Sequence, residues 1–187
     1  ADGDEHYNTI SAFIKSVRGS DPDAAIYYLA RMIEAGEDPL FIARRLIILA
    51  SEDIGNADPR GITVAVAAFH AVNHIGMPEG RIPLAQATIY LASAPKSNAA
   101  YLAIDEALAF VRKNARTSIP KYLMDTHTLE AGEREQSYLY PHDYGGYVEQ
   151  IYLPEEAKDE HFYRPTTNGY EAKMAAYLEY LRGKREK

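Results

Sequence analysis

An all-α fold follows from three observations on the sequence. Over the first 114 residues apolar side chains recur three and four positions apart, the period of a helix with one buried face. Asp21-Pro22, Asp38-Pro39 and Asp58-Pro59 repeat one device, in which an Asp caps free amides and a Pro at the first helical position loses no intrahelical bond. Ten of the 15 tyrosines fall from Tyr122 onward, where Pro and Gly are interleaved and the helical period fails. Together they predict a helical core over residues 1–114. Residues 115–187 form an irregular tyrosine-rich extended segment and a final helix packed on the same domain.

The first helix carries Tyr7, Ile10, Phe13, Ile14 and Val17 on one stripe and stops at Gly19. The second opens at Asp21-Pro22, buries Ala25, Tyr28, Leu29, Met32 and Ile33, and stops at Gly36. The third runs from Pro39 to about Ile54. Its succession Leu46, Ile47, Ile48, Leu49 is apolar around much of the circumference, which marks a central helix or part of an oligomer interface. A fourth, from about Pro59 to Ile75, presents Ile62, Val66, Phe69 and Val72, and a fifth spans roughly Ile82 to Ser93 before Pro95. The sixth, about Asn98 to Lys113, is capped by Ser97 or Asn98 and carries Tyr101, Ile104, Leu108 and Val111 on one face. From Ala115 to about Gly132 the pattern weakens. Between Tyr138 and Pro165 the rings are expected to pack across the helices. The last helix begins at Asn168 with Glu171 as its capping-box partner, carries Met174, Tyr177, Leu178 and Leu181, and gives way at Gly183 to a frayed tail.

Composition narrows the chemistry. With no cysteine there is no disulfide framework, thiolate metal site, iron-sulfur cluster or cysteine nucleophile, which agrees with a reducing cytosol. Twenty Lys plus Arg against 27 Asp plus Glu leave a net charge of −7, so any contact with a phosphate backbone has to be local. Neither a signal-peptide pattern nor an apolar run long enough to span a membrane is expected.

The motif search returns little catalysis. None of the 12 glycines fits a phosphate loop, and Gly145-Gly146 lacks the third glycine of a dinucleotide fingerprint. His70 and His74, four apart, have the spacing of a zinc pair, but Ala71 stands where a metalloprotease helix has Glu and no third ligand is placed, so the structural reading prevails. Glu52-Asp53, Asp125 with His127 and His142-Asp143 can each be drawn as an acid-base pair. Without a recognisable nucleophile, such pairs read as caps or salt bridges, and the chain is expected not to be an enzyme. For DNA or a partner protein the local basic groups are Arg44, Arg45, Lys96 and Arg112, with Lys113 and Arg116 beside the last. A solvated, internally paired face is the simpler account of them.

Several exact strings accumulate: Asp4-Glu-His-Tyr-Asn8, Arg18-Gly-Ser-Asp-Pro-Asp-Ala-Ala25, Ala43-Arg-Arg-Leu46, Ala50-Ser-Glu-Asp-Ile-Gly55, Ala94-Pro-Lys-Ser-Asn98, Tyr140-Pro-His-Asp143, Tyr152-Leu-Pro154 and Tyr163-Arg-Pro165. Through them the chain resembles the C-terminal region of the RarA/MgsA family of AAA+ ATPases, the replication-associated recombination factors related to the Werner helicase interacting protein. The resemblance runs from about Asp4 to Leu181 and departs between Thr117 and Ser137, which is compressed. It implies a clamp-loader-collar-like helical domain that holds subunits together, as a homotetramer in bacterial members, in a cytoplasmic protein acting at stalled or gapped replication forks. It further implies that ATP and Mg are bound by an N-terminal part absent here, and that this chain itself takes no cofactor. DNA would be engaged mainly through that part, with single-strand binding protein as a partner. The alternative is a docking module for single-stranded DNA or a protein built on Arg44, Arg45, Lys96 and Arg112.

Overall fold

The computed structural model describes residues 2–125 and 138–185. His127, and with it the Asp125/His127 pairing, lies outside the described residues, as do Gly132, Ser137 and the last two positions of the tail. The described chain is helical, and no strand occurs among the described residues. It divides into two compact units. One is Ala1–Leu102 with Tyr163–Ala175, and the other is Ala103–Phe162 with Ala176–Lys187.

The first unit is built from α1 (Asp2–Arg18), α2 (Pro22–Glu34), α3 (Pro39–Leu49), α4 (Arg60–Ile75) and α5 (Arg81–Ser93). The Asp-Pro device works as expected twice. Asp21 accepts from the Ala24 amide at the head of α2, and Asp38 accepts from the Leu40 amide at the head of α3. At the third site the helix starts one residue later, at Arg60, and Asp58 accepts from both the amide and the guanidinium of that residue.

Phe13, Val17, Leu29, Met32, Ile42, Leu46, Leu49, Leu84 and Leu91 form one buried cluster. α5 packs on each of α1, α2, α3 and α4, so it occupies the centre. Its Leu84, Ala87, Thr88, Leu91 and Ala92 are buried, and the Thr88 hydroxyl is satisfied by donating to the Leu84 carbonyl. α3 gives the core Leu46 and Leu49, leaves Ile47 half-buried and turns Ile48 outward.

Three local expectations need correction here. Tyr7 faces solvent although Ile10, Phe13 and Val17 of its stripe are buried. On α4 the inward face is Gly61, Ala65, Ala68 and Val72, while Ile62 points out. Small residues let this helix come close: a Cβ on Gly61 would sit 3.3 Å from the Ile54 and Leu91 side chains. The third helix does not run to Ile54 as a regular α-helix. It widens after Leu49 into a π-helical turn, Ala50–Ile54, and tightens into a 3₁₀ turn, Gly55–Ala57.

Two further segments complete this unit: the first turn of α6 (Ala99–Lys113) and residues 163–175, which lead into α7 (Glu171–Arg185). Ser97 caps α6 by accepting from the Ala99 amide. α7 starts at Glu171 instead of Asn168 and stays helical through Arg185, beyond the expected fraying at Gly183.

In the second unit α6 continues to Lys113, followed by 3₁₀ turns at Lys121–Leu123, Pro141–Tyr144 and Glu155–Ala157 and by the rest of α7. Among its described residues only Ala157 is buried. Phe110 and Phe162 meet edge to face at 5.9 Å. The extended chain is held by side chains, not by a ladder: the Gln150 amide both donates to the Leu139 carbonyl (2.7 Å) and accepts from the Leu139 amide (3.2 Å), and the Tyr122 hydroxyl donates to the Ile151 carbonyl. Tyr138, Tyr140, Tyr144 and Tyr152 are exposed, contrary to the expected packing of those rings. The α6 face differs from expectation as well. Its half-buried positions are Ala103, Ala107 and Phe110, one residue round from the exposed Ile104, Leu108 and Val111.

Candidate functional site

The first unit gathers the buried polar residues Asp53, Asp58, Ser97 and Glu171 where residues 53–58, 90–98 and 163–171 converge. Glu171, 1% exposed, is the hub. Its carboxylate accepts from the Ser97 hydroxyl (2.6 Å), the Thr166 hydroxyl (2.6 Å) and amide (3.1 Å), and the Tyr163 hydroxyl (2.7 Å). Burial pushes the carboxyl pKa up, but the bonds from Ser97, Thr166 and Tyr163 outweigh that and hold it below the usual range. The same burial, with the Glu171 charge beside it, drives the Tyr163 phenol up to about 12. The backbone closes the same seam: the Tyr170 amide donates to the Ala57 carbonyl (2.8 Å), and the Asn168 side-chain amide donates to the Lys96 carbonyl (2.9 Å).

A second polar knot lies on the π-helical turn. Asp53 Oδ1 accepts from Arg18 Nε at 2.7 Å, and its backbone carbonyl accepts from the Ser97 amide at 2.8 Å. The hydrogen bond to Asp53 raises the Arg18 pKa despite partial burial. A third centres on Asp58, which accepts from the Tyr90 hydroxyl (2.6 Å) and from Arg60 Nε (3.1 Å). Burial raises the Asp58 pKa, and the Tyr90 and Arg60 bonds bring it net below its ordinary value. All three knots join segments far apart in sequence, and what they do chemically is fix backbone geometry.

The basic residues singled out from sequence divide by environment. The Lys96 ammonium donates to the carbonyls of Ala92 (3.1 Å) and Ala94 (2.5 Å) and to the Ser20 hydroxyl (3.0 Å), so it caps the C-terminal end of α5. Burial lowers its pKa, partly offset by Asp53. Arg45 tucks its Nε away from solvent, where it has no hydrogen-bond partner, whereas the neighbouring Arg44 is half-exposed and reaches Asp38 at 3.7 Å. Arg112 is exposed in the last turn of α6. His70 and His74 are both exposed, and no group of three or more His, Asp or Glu able to hold a metal occurs among the described residues. His142 lies against the Tyr140 ring at 5.1 Å. Between α1 and α2 a cleft of about 400 Å³ is rimmed by Glu5 with Arg31 (2.8 Å) and by His6 with Glu37, which pair directly.

From sequence, Glu171 was reached only as a capping-box partner and Asp53 only as a cap or salt bridge, without the residues they bond. The capping-box spacing found Glu171 but matched it to Asn168, whereas its actual partners, Ser97, Tyr163 and Thr166, are 74, 8 and 5 positions away.

Residues 19–182 match the family described as MgsA AAA+ ATPase C terminal. An AAA domain-containing protein of Mycobacterium tuberculosis is 53% identical over 184 residues, which is 97% of this chain and 41% of that protein. The replication-associated recombination protein A of Bacillus subtilis is 51% identical over 171 residues (90% of this chain, 40% of that one), and that of Escherichia coli is 45% identical over 183 (96% and 41%). The chain thus spans about two fifths of the length of these bacterial relatives. The quoted strings supply Arg18 and Asp53 to one buried knot and Ser97 and Tyr163 to another, and the chain belongs to the MgsA AAA+ ATPase C-terminal family.

Proposed function

We propose that this chain is the oligomerisation collar of a replication- and recombination-associated AAA+ ATPase that works in the cytoplasm at stalled or gapped forks. Its relatives named replication-associated recombination protein A support the setting. The observation that carries the reading is the distribution of side chains. Buried carboxylates and the Lys96 ammonium are spent on internal geometry, while large hydrophobic residues such as Ile48, Ile104, Leu108, Val111 and Ile151 are left outward. That combination suits a chain whose surface is completed by further subunits.

In this mechanism the collar fixes the relative positions of ATPase modules, so that nucleotide state in one is felt by its neighbours on a shared DNA substrate. ATP and Mg belong to the N-terminal part of the intact protein, which also makes the main DNA contact, and single-strand binding protein is a partner of the assembly. The test is mass in solution. Multi-angle light scattering on the 187-residue chain should give a homotetramer, four chains of 20.9 kDa or about 84 kDa. A mass of one chain throughout the micromolar range overturns the collar.

A further inference from the structure

α6 carries an outward apolar ridge. Ile104, Leu108 and Val111 are 56, 40 and 58% exposed, and Tyr101 before them is 42% exposed. Positions 101, 104, 108 and 111 are three, four and three apart, the spacing with which a helix offers a straight seam to a mate at a shallow crossing angle. Charge along the helix is ordered. Asp105 and Glu106 precede Leu108, and Arg112 and Lys113 close the last turn. Asp105 and Arg112 each follow a seam residue, so both sit on the same edge of the ridge.

Two copies lying parallel would set the edge that carries Asp105 and Arg112 against the other edge of the mate, Ala103, Ala107 and Phe110, which offers neither charge a partner. Two copies lying antiparallel set the acidic half of one along the basic end of the other and bring like edges together with opposite charges. A two-fold axis crossing a helix produces that antiparallel arrangement, and it makes one ridge complementary to itself. The occupant whose apolar spacing and reversed charge order both match is therefore a second copy of α6.

We propose that α6 is a homotypic contact of the assembly, in which two chains pair their Ile104, Leu108 and Val111 ridges antiparallel with Asp105 of each chain near Arg112 of the other. This rests on the collar reading and names its surface.

The test is sedimentation equilibrium of the full chain, wild type beside Leu108→Asp/Val111→Lys, Asp105→Arg, Arg112→Asp and the double charge swap. Because the substituted side chains are exposed in the protomer, far-UV circular dichroism and the melting temperature of the dissociated variant should match those of wild type diluted to monomer. The ridge variant should fall to half the wild-type mass or less. Each single charge change should weaken association at least about tenfold, and the double swap should restore it. Asp105 and Arg112 are two helical turns apart within one chain, so restoration reports a contact between chains. A wild-type oligomer that survives the ridge variant, or charge changes that add without restoration, overturns the α6 contact and leaves the collar standing. A monomeric wild type removes both. A ridge variant that unfolds assigns Leu108 and Val111 to the protomer core and also overturns the contact.

Discussion

Glu171 shows how much one side chain decides here. A carboxylate that is 1% exposed and accepts four hydrogen bonds stabilises the fold only while it is ionised and all its donors are in place. Glu171→Ala strands the Ser97, Thr166 and Tyr163 donors and should cost about 3 kcal/mol in urea unfolding of the chain, against about 1 kcal/mol for Ser97→Ala. The pH dependence has a definite sign. The folded pKa of Glu171 is depressed, so its contribution is present above the unfolded carboxylate range and is lost as pH falls through the folded value. Asp58 acts in the same direction. Tyr163 works at the other end: its folded pKa of about 12 lies above the ordinary 10.0, so its contribution is complete below 10 and lost as pH rises toward 12. Glu171→Gln should flatten the acid limb of a stability-pH curve, and an unchanged acid limb would take Glu171 out of the account. At this scale the sequence shows that Glu171 sits in a helix-opening pattern. It does not show burial, which depends on Ser97 and Tyr163 arriving from other segments.

Helix ends set by immediate neighbours were legible at α2 and at the head of α3, and misplaced at the end of α3 and around α7. Asp21 and Asp38 cap as their Asp-Pro contexts require, and Gly36, with φ of 78°, follows the end of α2. Helix faces were legible where large side chains make them, as for Phe13 and Val17, and misread where small ones do. On α4 the alanines face the core because close approach buries more surface than a bulky ridge held at a distance. On α6 the apolar stripe was seen and its direction was not, since periodicity marks a face without naming its mate. The described glycine with least room for a side chain lies in the connection before α7. Gly169 has φ of 57°, and a Cβ there would stand 2.2 Å from the Ala57 carbonyl oxygen. Gly169→Ala should therefore break the contact that seats Tyr170 on Ala57 and lower stability by at least about 2 kcal/mol, read as a shift of the urea midpoint at constant slope. A neutral result would mean that the connection is free to move off Ala57.

At the scale of the whole chain, the family resemblance and the all-α class were readable from uninterrupted strings and from helical period. The interleaving of the two units was not. A sequence pattern describes contiguous stretches, whereas the first unit is completed by Tyr163–Ala175 after an excursion through Ala103–Phe162. A chain ended after Phe162 keeps α1 to α6 but loses the groups that satisfy Ser97 and cover Ala57. Its melting temperature in scanning calorimetry should drop by about 10 °C relative to the full chain, and a shift under about 2 °C would show the segment to be dispensable.

The discontinuity also imposes a timetable on synthesis. Ser97 leaves the ribosome 74 residues ahead of Glu171, a lag of roughly 4–15 s at bacterial or eukaryotic elongation rates. Throughout that interval the five-helix body has its hydrophobic contacts but not its lock, and the Ser97 hydroxyl and the Ala57 carbonyl must be satisfied by water. The head of α7 is therefore the latch that closes the five-helix body, and it is the last part of that body to be made.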